Sequence, residues 1–301
     1  MSLPAQLLLN LYMPMGGLPI YDSTLTRLTS PMIEALRNLF GARPKGAERL
    51  PCVPDGTRYY VIGDIHGRLD LYEALIEAID ADDAARPPAR TQVVLLGDLV
   101  DRGPESAGVI DRSRQWQCER DVRILAGNHE EMFLSSFEKP EILRHFLKHG
   151  GRETVLSYGM SKEQFSELTL EELFEALPDL IPQDDLDYVA GFEECIVAGD
   201  YLFVHAGIDP ALPLDQQRRQ DMLWIRDRFL QHEGPLEKVV VHGHTIFDTV
   251  MDCGNRIGID TGAFRSGVLT ALVLEGDHRR VLQASANDGA IEVFDGDPAG
   301  T

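Results

Sequence analysis

Tyr59-Tyr60-Val61-Ile62-Gly63-Asp64-Ile65-His66-Gly67 decides the reading of this chain: an apolar, partly β-branched run that stops at a glycine and then presents an aspartate and a histidine. The pattern returns along the sequence. Val93 to Leu96 leads into Gly97-Asp98-Leu99-Val100-Asp101-Arg102-Gly103, and Gly127-Asn128-His129-Glu130 follows. After a long gap, Tyr201 to Val204 precedes His205-Ala206-Gly207, and Val239 to Val241 precedes His242-Gly243-His244-Thr245. At least four of the five motifs directly follow a strand-like run. Polar side chains at the carboxyl ends of several strands are how open α/β sheets assemble a site. Five of the nine histidines suffice to fill these motifs, so histidine is concentrated there.

Those residue types suit a two-metal centre. Two divalent cations about 3.5–4 Å apart need a bridging carboxylate and a mixed shell of neutral and anionic ligands. On this reading Asp64 and His66 bind the first metal, Asp98 bridges, and Asn128, His205 and His244 bind the second. Oxygen with imidazole ligation points to two divalent ions, Mn2+ first, with Fe or Zn as alternatives, rather than Ca or Mg. Two carboxylates leave the pair with a net charge of about +2, enough to acidify a shared water. That water, as hydroxide, is the expected nucleophile for in-line attack on phosphorus.

The series GDIHG, GDLVDRG, GNHE, HAG and HGHT resembles the phosphoprotein phosphatase branch of the calcineurin-like metallophosphoesterases, most closely its bacterial and phage members. Gly150-Gly151-Arg152-Glu153-Thr154-Val155-Leu156-Ser157-Tyr158-Gly159, Leu223-Trp224-Ile225-Arg226 and Ile259-Asp260-Thr261-Gly262-Ala263 extend the match, in order, from roughly Thr57 to about Ala286. The resemblance implies that His129 is the general acid for the leaving oxygen and that Asp101 holds its imidazole. It implies that Arg102 and Arg226 grip the phosphate, since a guanidinium matches phosphate oxygens as a fork. His242 is expected beside the site rather than on a metal. Glu130 is expected as a first-turn helix residue, paired with an arginine if with anything.

The implied fold is α/β: two packed mixed β-sheets flanked by helices, with a helical insertion. The implied activity is a metal-dependent phosphomonoesterase acting on phosphoserine or phosphothreonine in proteins, with dual specificity toward phosphotyrosine as an extension. The alternative is a hydrolase of dinucleoside polyphosphates or another small phosphate compound. Relatives of that kind tend to lack the aspartate of the D-R-G motif, which is present here as Asp101, whereas Ile259 to Ala263 departs from the S-A-P-N-Y loop of eukaryotic protein phosphatases. A non-catalytic phosphate-sensing scaffold ranks last, because degeneracy would remove a ligand and none is missing.

Composition bounds the partners. The 301 residues carry 28 basic against 49 acidic side chains, a net charge of −21, which argues against nucleic acid and against anionic membranes. Substrate is therefore a phosphoprotein or a small phosphate ester; the oligomeric state is left open. Cys52, Cys118, Cys195 and Cys253 form no C-x-x-C pair and read as reduced, mostly buried thiols of a cytoplasmic protein. No apolar run approaches the ~18 residues of a membrane span, and the N-terminus lacks a secretory pattern.

Residues 1–56 read as an N-terminal extension, with a helix from Pro31 to Phe40 and a Gly/Pro-rich linker from Gly41 to Gly56, ahead of a catalytic domain over 57–301. Leu69, Tyr72, Leu75, Ile76 and Ile79 mark an amphipathic helix that completes a strand–helix–strand unit. Residues 131–188 form the helical insertion, divided by Pro140, Gly150-Gly151 and Pro178. Cys195–Ala198 and Tyr201–Val204 form a hairpin, and strands near Val239, Ile257, Val268–Leu274 and Val281 are expected to complete the second sheet.

Overall fold

The strand-like runs are apolar at consecutive positions, which suits strands covered on both faces rather than on one. In the computed structural model, which describes residues 49–287 and 290–296, they form two sheets. The expected helix at Pro31–Phe40 lies outside those residues. The first sheet contains β1 (Thr57–Ile62), β2 (Arg90–Leu95), β3 (Val122–Ile124) and, further on, β9 (Val268–Glu275), β10 (His278–Asn287) and β11 (Ala290–Gly296), in the order β11-β10-β9-β1-β2-β3. The second contains β4 (Cys195–Ala198), β5 (Tyr201–Val204), β6 (Val239–His242), β7 (Met251–Asp252) and β8 (Arg256–Gly258), in the order β4-β5-β6-β8-β7.

The period of two along each strand sorts its side chains between two cores. Tyr60, Ile62, Val93 and Leu95 face α1 (Leu69–Ala85) and α2 (Ser106–Glu119), where Leu71, Leu75 and Trp116 are buried. Val61, Val94 and Leu96 face the other way and meet Phe203, Val241 and Ile257 of the second sheet. Leu202, Val204 and Val240 cover that sheet's outer face with Met222, Ile225 and Phe229.

The two parallel units β1–β2 and β2–β3 extend the first sheet in one direction only and leave one edge of β1 open. An open central edge is a pairing template. β9 fills it antiparallel, and β10 and β11 follow. This corrects the expectation that Val268–Leu274 and Val281 belong to the second sheet. Both assignments satisfy a two-sided apolar strand; the free edge of β1 decides between them.

The insertion has a core of its own. It runs through α3 (Asn128–Ser135), α4 (Pro140–Phe146), a π turn at Leu147–Gly151, α5 (Arg152–Ser157), α6 (Lys162–Glu167), α7 (Leu170–Leu180) and α8 (Gln183–Ala190). Phe133, Phe146, Leu173 and Leu177 pack against Val100 and Ile110. Pro140 starts α4 and Gly150, at φ 113°, breaks the chain as expected. Pro178 does not divide the insertion: it sits in the last turn of α7, which runs on through it and ends at Leu180.

The second half of the expected linker is packed rather than free. Val53 is buried and donates its N–H to Gly276 O at 3.0 Å, while Cys52 O accepts from Asp200 N at 2.9 Å. None of the four cysteines forms a disulfide. Cys118 and Cys253 are exposed, against expectation, because one ends α2 and the other turns between β7 and β8. Among the described residues no helix is long and apolar enough to cross a membrane.

Arg58 shows how the ends of the first sheet are tied. Its side chain is buried, forks onto Glu275 of β9 at 2.8 and 3.0 Å, and reaches Asp83 of α1 at 2.7 Å. Glu275, first, holds this guanidinium above its ordinary pKa, and Asp83 adds to that against the opposing effect of burial. Arg58→Met is expected to lower unfolding free energy by about 2–4 kcal/mol, because carboxylates lose a buried partner. Urea unfolding measures this, and a loss under ~1 kcal/mol would class the cluster with surface ion pairs.

Candidate metal centre

All five motifs leave strand ends on one side of the molecule. β1, β2 and β3 deliver Asp64–His66, Asp98–Arg102 and Asn128–Glu130; β5 and β6 deliver His205 and His242–His244. The turns are tight enough to strain the chain. Among the described residues the non-glycine positions with positive φ are His66 (47°), Asp98 (52°), Asp101 (73°), Arg102 (69°) and His244 (62°), every one in these motifs. Left-handed backbone at such residues costs ~1–3 kcal/mol each and concentrates at functional sites. The motif glycines leave room for this: a Cβ on Gly243 would overlap Asp64 Oδ1, and one on Gly127 would overlap Asp98 Oδ1.

Asp98 lies at the middle. Its Oδ2 is 3.5 Å from His66 Nε2 and its Oδ1 is 3.4 Å from His205 Nε2, so its two oxygens face two different imidazoles. Two groups of side chains that could hold an ion share it, His66–Asp98–His129 and Asp98–His205–His244. Asn128 Oδ1 joins the second group, 3.0 Å from His205 Nε2 and 2.7 Å from His244 Nδ1. Asp64 stands one step aside, accepting the His244 N–H at 3.0 and 3.2 Å.

The donor set fits divalent cations. His66 Nδ1 donates to Val100 O at 2.8 Å and His205 Nδ1 to Leu96 O at 2.9 Å, which fixes the tautomers and leaves each Nε2 as a lone pair. Those lone pairs aim toward carboxylate and amide oxygens, an arrangement that a cation between them resolves. Burial holds His66 and His205 below the ordinary imidazole range and His244 at about 2, so all three imidazoles stand neutral, the form that can bind a cation. Burial opposes ionisation of Asp98, while protonation of the imidazoles around it, His205, His129 and His66, favours its charged form. His244 Nε2 and Asp260 Oδ2 are buried without a hydrogen-bond partner.

The other expected residues are near. His129 Nδ1 donates to Asp101 Oδ2 at 2.6 Å, both buried. Burial works against a charged His129, yet Asp98 and Asp101 raise its pKa overall. The Arg102 guanidinium is 2.6 Å from His66 Nε2 and stacks 4.8 Å from the Phe264 ring centre. Arg226 is exposed, 3.5 Å from Thr245 Oγ1. His242, expected beside the site, packs on Phe229 and Phe247.

The five motifs therefore converge in space in the order that the sequence writes them, and a family model for calcineurin-like phosphoesterases matches residues 57–265, which contain all of them. The chain belongs to the calcineurin-like phosphoesterase family. It is an enzyme that hydrolyses phosphoesters, and the family's fold carries divalent metals. This phosphoesterase is 28% identical over 220 residues to serine/threonine-protein phosphatase 2 of Escherichia coli K12, covering 70% of this chain and 90% of that one. It is 29% identical to serine/threonine-protein phosphatase 1 of Salmonella typhimurium (70% and 89% covered). It is 26% identical to the asymmetrical bis(5'-nucleosyl)-tetraphosphatase PrpE of Anoxybacillus flavithermus (71% and 89%). A solved structure provisionally described as a diadenosine tetraphosphatase shares the fold at TM-score 0.51 and 20% identity, over 82% of this chain and 99% of that one. The expected two-sheet α/β fold and the phosphoprotein phosphatase resemblance both hold.

Three residues of the phosphoesterase site exceed the sequence reading. Glu130 does not pair with an arginine: its buried carboxylate accepts the N–H groups of Asp98 (2.8 Å), Leu99 (2.7 Å) and Gly127 (2.8 Å), locking two ligand loops together. Burial, then the Asp98 charge, push it up to about 7. The signal was its third place in α3, where an acid can reach back to the helix start. Asp260 is buried beside Asp64, its Oδ1 accepting from Gly262 N at 2.8 Å, and burial pushes it up to about 6. Thr154 of the insertion reaches Asp101 at 2.6 Å.

Elemental analysis after Mn2+ loading is expected to find about two equivalents per chain, and clearly less after Asp98→Asn, because both groups share that carboxylate. One equivalent in both proteins would rule out a bridging Asp98.

Proposed function

We propose that the chain is a metal-dependent phosphomonoesterase acting first on phosphoserine and phosphothreonine in proteins, using Asp64, His66, Asp98, Asn128, His205 and His244 to hold two divalent ions, Mn2+ before Fe or Zn. The observation that carries this reading is the buried 2.6 Å bond between His129 Nδ1 and Asp101 Oδ2. It leaves His129 Nε2, 3.9 Å from Asp98 Oδ2, as the proton-bearing atom on the metal side. A serine or threonine alkoxide is strongly basic and must gain a proton as its bond to phosphorus breaks. The leaving group of a phosphoanhydride is a weakly basic phosphate with far less need of that proton. The His129–Asp101 pair thus favours phosphomonoesters over dinucleoside polyphosphates.

When bound, two divalent cations supply an activated water and neutralise phosphate charge. The remaining work falls to the chain. Arg102, braced by Phe264, binds the phosphate oxygens, and Arg226 reaches in from the side of Thr245. Asp101 keeps the His129 proton on Nδ1 and balances the imidazolium charge until Nε2 delivers its proton to the leaving oxygen. Polyphosphate hydrolysis remains the second reading, supported by the relatives named bis(5'-nucleosyl)-tetraphosphatases.

Phosphopeptides and nucleotide polyphosphates offered at equal concentration to Mn2+-loaded enzyme separate the two. Phosphopeptides are expected to turn over faster, and turnover of polyphosphates alone would reverse the order. His129→Asn is expected to keep its metals and to lose ~10²–10⁴-fold on phosphoserine peptides but much less on p-nitrophenyl phosphate. Equal losses on both, with chemistry rate-limiting, would remove His129 as the proton donor. Arg102→Ala should weaken inhibition by inorganic phosphate at unchanged metal content; unchanged inhibition would exclude Arg102 from the phosphate grip.

A further inference from the structure

The loop that carries Asp101 and Arg102 is held from outside the sheets. Two consecutive left-handed residues at φ 73° and 69° cannot hold their shape without partners, and the segment Gly150–Ser157 of the insertion supplies them. Arg102 N donates to Gly150 O at 3.1 Å, Asp101 N to Thr154 Oγ1 at 2.9 Å, and Ala107 N to Ser157 Oγ at 3.1 Å.

Hydrogen counting fixes the direction of every bond around Thr154. A carboxylate only accepts, so the Thr154 hydroxyl donates to Asp101 Oδ1 at 2.6 Å. That spends the one Thr154 hydroxyl hydrogen, so the Ser106 hydroxyl donates to Thr154 Oγ1 at 3.0 Å, while the Asp101 N–H points at both Thr154 Oγ1 (2.9 Å) and Ser106 Oγ (3.0 Å). Ser106, Thr154 and Asp101 are fully buried, and no alternative rotamer can find water. With Oδ1 occupied by Thr154, Oδ2 is left to the His129 imidazole.

We infer that Thr154 is a positioning residue for proton delivery: its hydroxyl aims Asp101 Oδ2 at His129 Nδ1, and the helical insertion is thereby part of the reaction machinery rather than only a cover over the site. The inference rests on the reading of His129 as general acid. It predicts a specific kind of damage. Without the hydroxyl, the metals and Arg102 still act, but His129 loses its fixed orientation, so slow substrates with basic leaving groups suffer most.

A series of aryl phosphates from phenyl to p-nitrophenyl tests this without knowledge of the natural substrate. For Thr154→Val, which keeps the shape and removes the hydroxyl, kcat/KM on phenyl phosphate is expected to fall on the order of tenfold, a fraction of the full ~10²–10⁴ of acid catalysis. The p-nitrophenyl ester should change little, KM should stay nearly constant, and Thr154→Ser should restore the parent profile. Should Thr154→Val not fold, Thr154→Ala against Thr154→Ser isolates the same hydroxyl. In metal-free protein, the His129 Nδ1–H proton resonance, assigned by its loss in His129→Asn, should move upfield in Thr154→Val and stay in place in Thr154→Ser. A leaving-group bias in His129→Asn with none in the hydroxyl-deleted variant overturns the proposal alone. No bias in His129→Asn itself overturns the general-acid reading instead, and an unmoved Nδ1–H resonance then overturns the hold of Thr154 on Asp101 as well.

Discussion

Five carboxyl groups, Asp64, Asp98, Asp101, Glu130 and Asp260, are buried within one site. Taking a carboxylate out of water is costly unless something of opposite charge or a dense set of donors replaces the water. Each group meets that demand differently. Asp98 gathers imidazoles, Glu130 gathers backbone N–H groups, and Asp101 takes a hydroxyl and an imidazole. Burial raises both Asp64 and Asp260; Asp260 raises Asp64 further, and the Asp98 charge adds to both. The half-buried Arg102 guanidinium stands beside this concentration of acid, 2.6 Å from His66 Nε2. The site is built to receive cations, and much of the surrounding structure holds it open against its own repulsion.

The sheets provide the stiff frame for that task, and the strain sits where the frame ends. Left-handed turns at His66, Asp98, Asp101, Arg102 and His244 bring side chains from separate strands to one point, which no regular extension of the strands would do. Two clamps compensate. Glu130 fastens the β2 loop to the start of α3 from within, and the Gly150–Ser157 segment fastens the next stretch of the same loop from the insertion.

The sequence was legible wherever chemistry and periodicity pointed to the same residues. Apolar runs ending in Gly-Asp or His marked both a strand and the polar side chains gathered at its end, so β1, β2, β5 and β6 and those side chains could be read together. Pairing partners were harder. Val268–Leu274 has the same two-sided apolar character as the strands of the other sheet, and only the vacant edge of β1 assigns it. Glu130 and Thr154 were hidden for a related reason: their partners at Asp98–Leu99 and at Asp101 lie far along the chain, and only the bond from Gly127 to Glu130 leaves a local pattern. Glu130 reads as an ordinary helix start, and Thr154 as one polar residue in an amphipathic turn.

The pairing of β1 with β9 also sets the order in which this protein can be born. Arg58 and Glu275, neighbours across that pair, are 217 residues apart. A ribosome adding ~5–20 residues per second needs on the order of 10–40 s to bridge that interval. For most of it, β1 carries an unpaired central edge, and His244 joins Asp64 and Asp98 only 31 residues before Glu275. The nascent chain thus passes through an acidic, half-assembled stage in which the edge of β1 is uncovered. Closure of the sheet and completion of the candidate site become neighbouring late events, since only β7, β8 and the turn through Ile259–Ala263 separate His244 from β9.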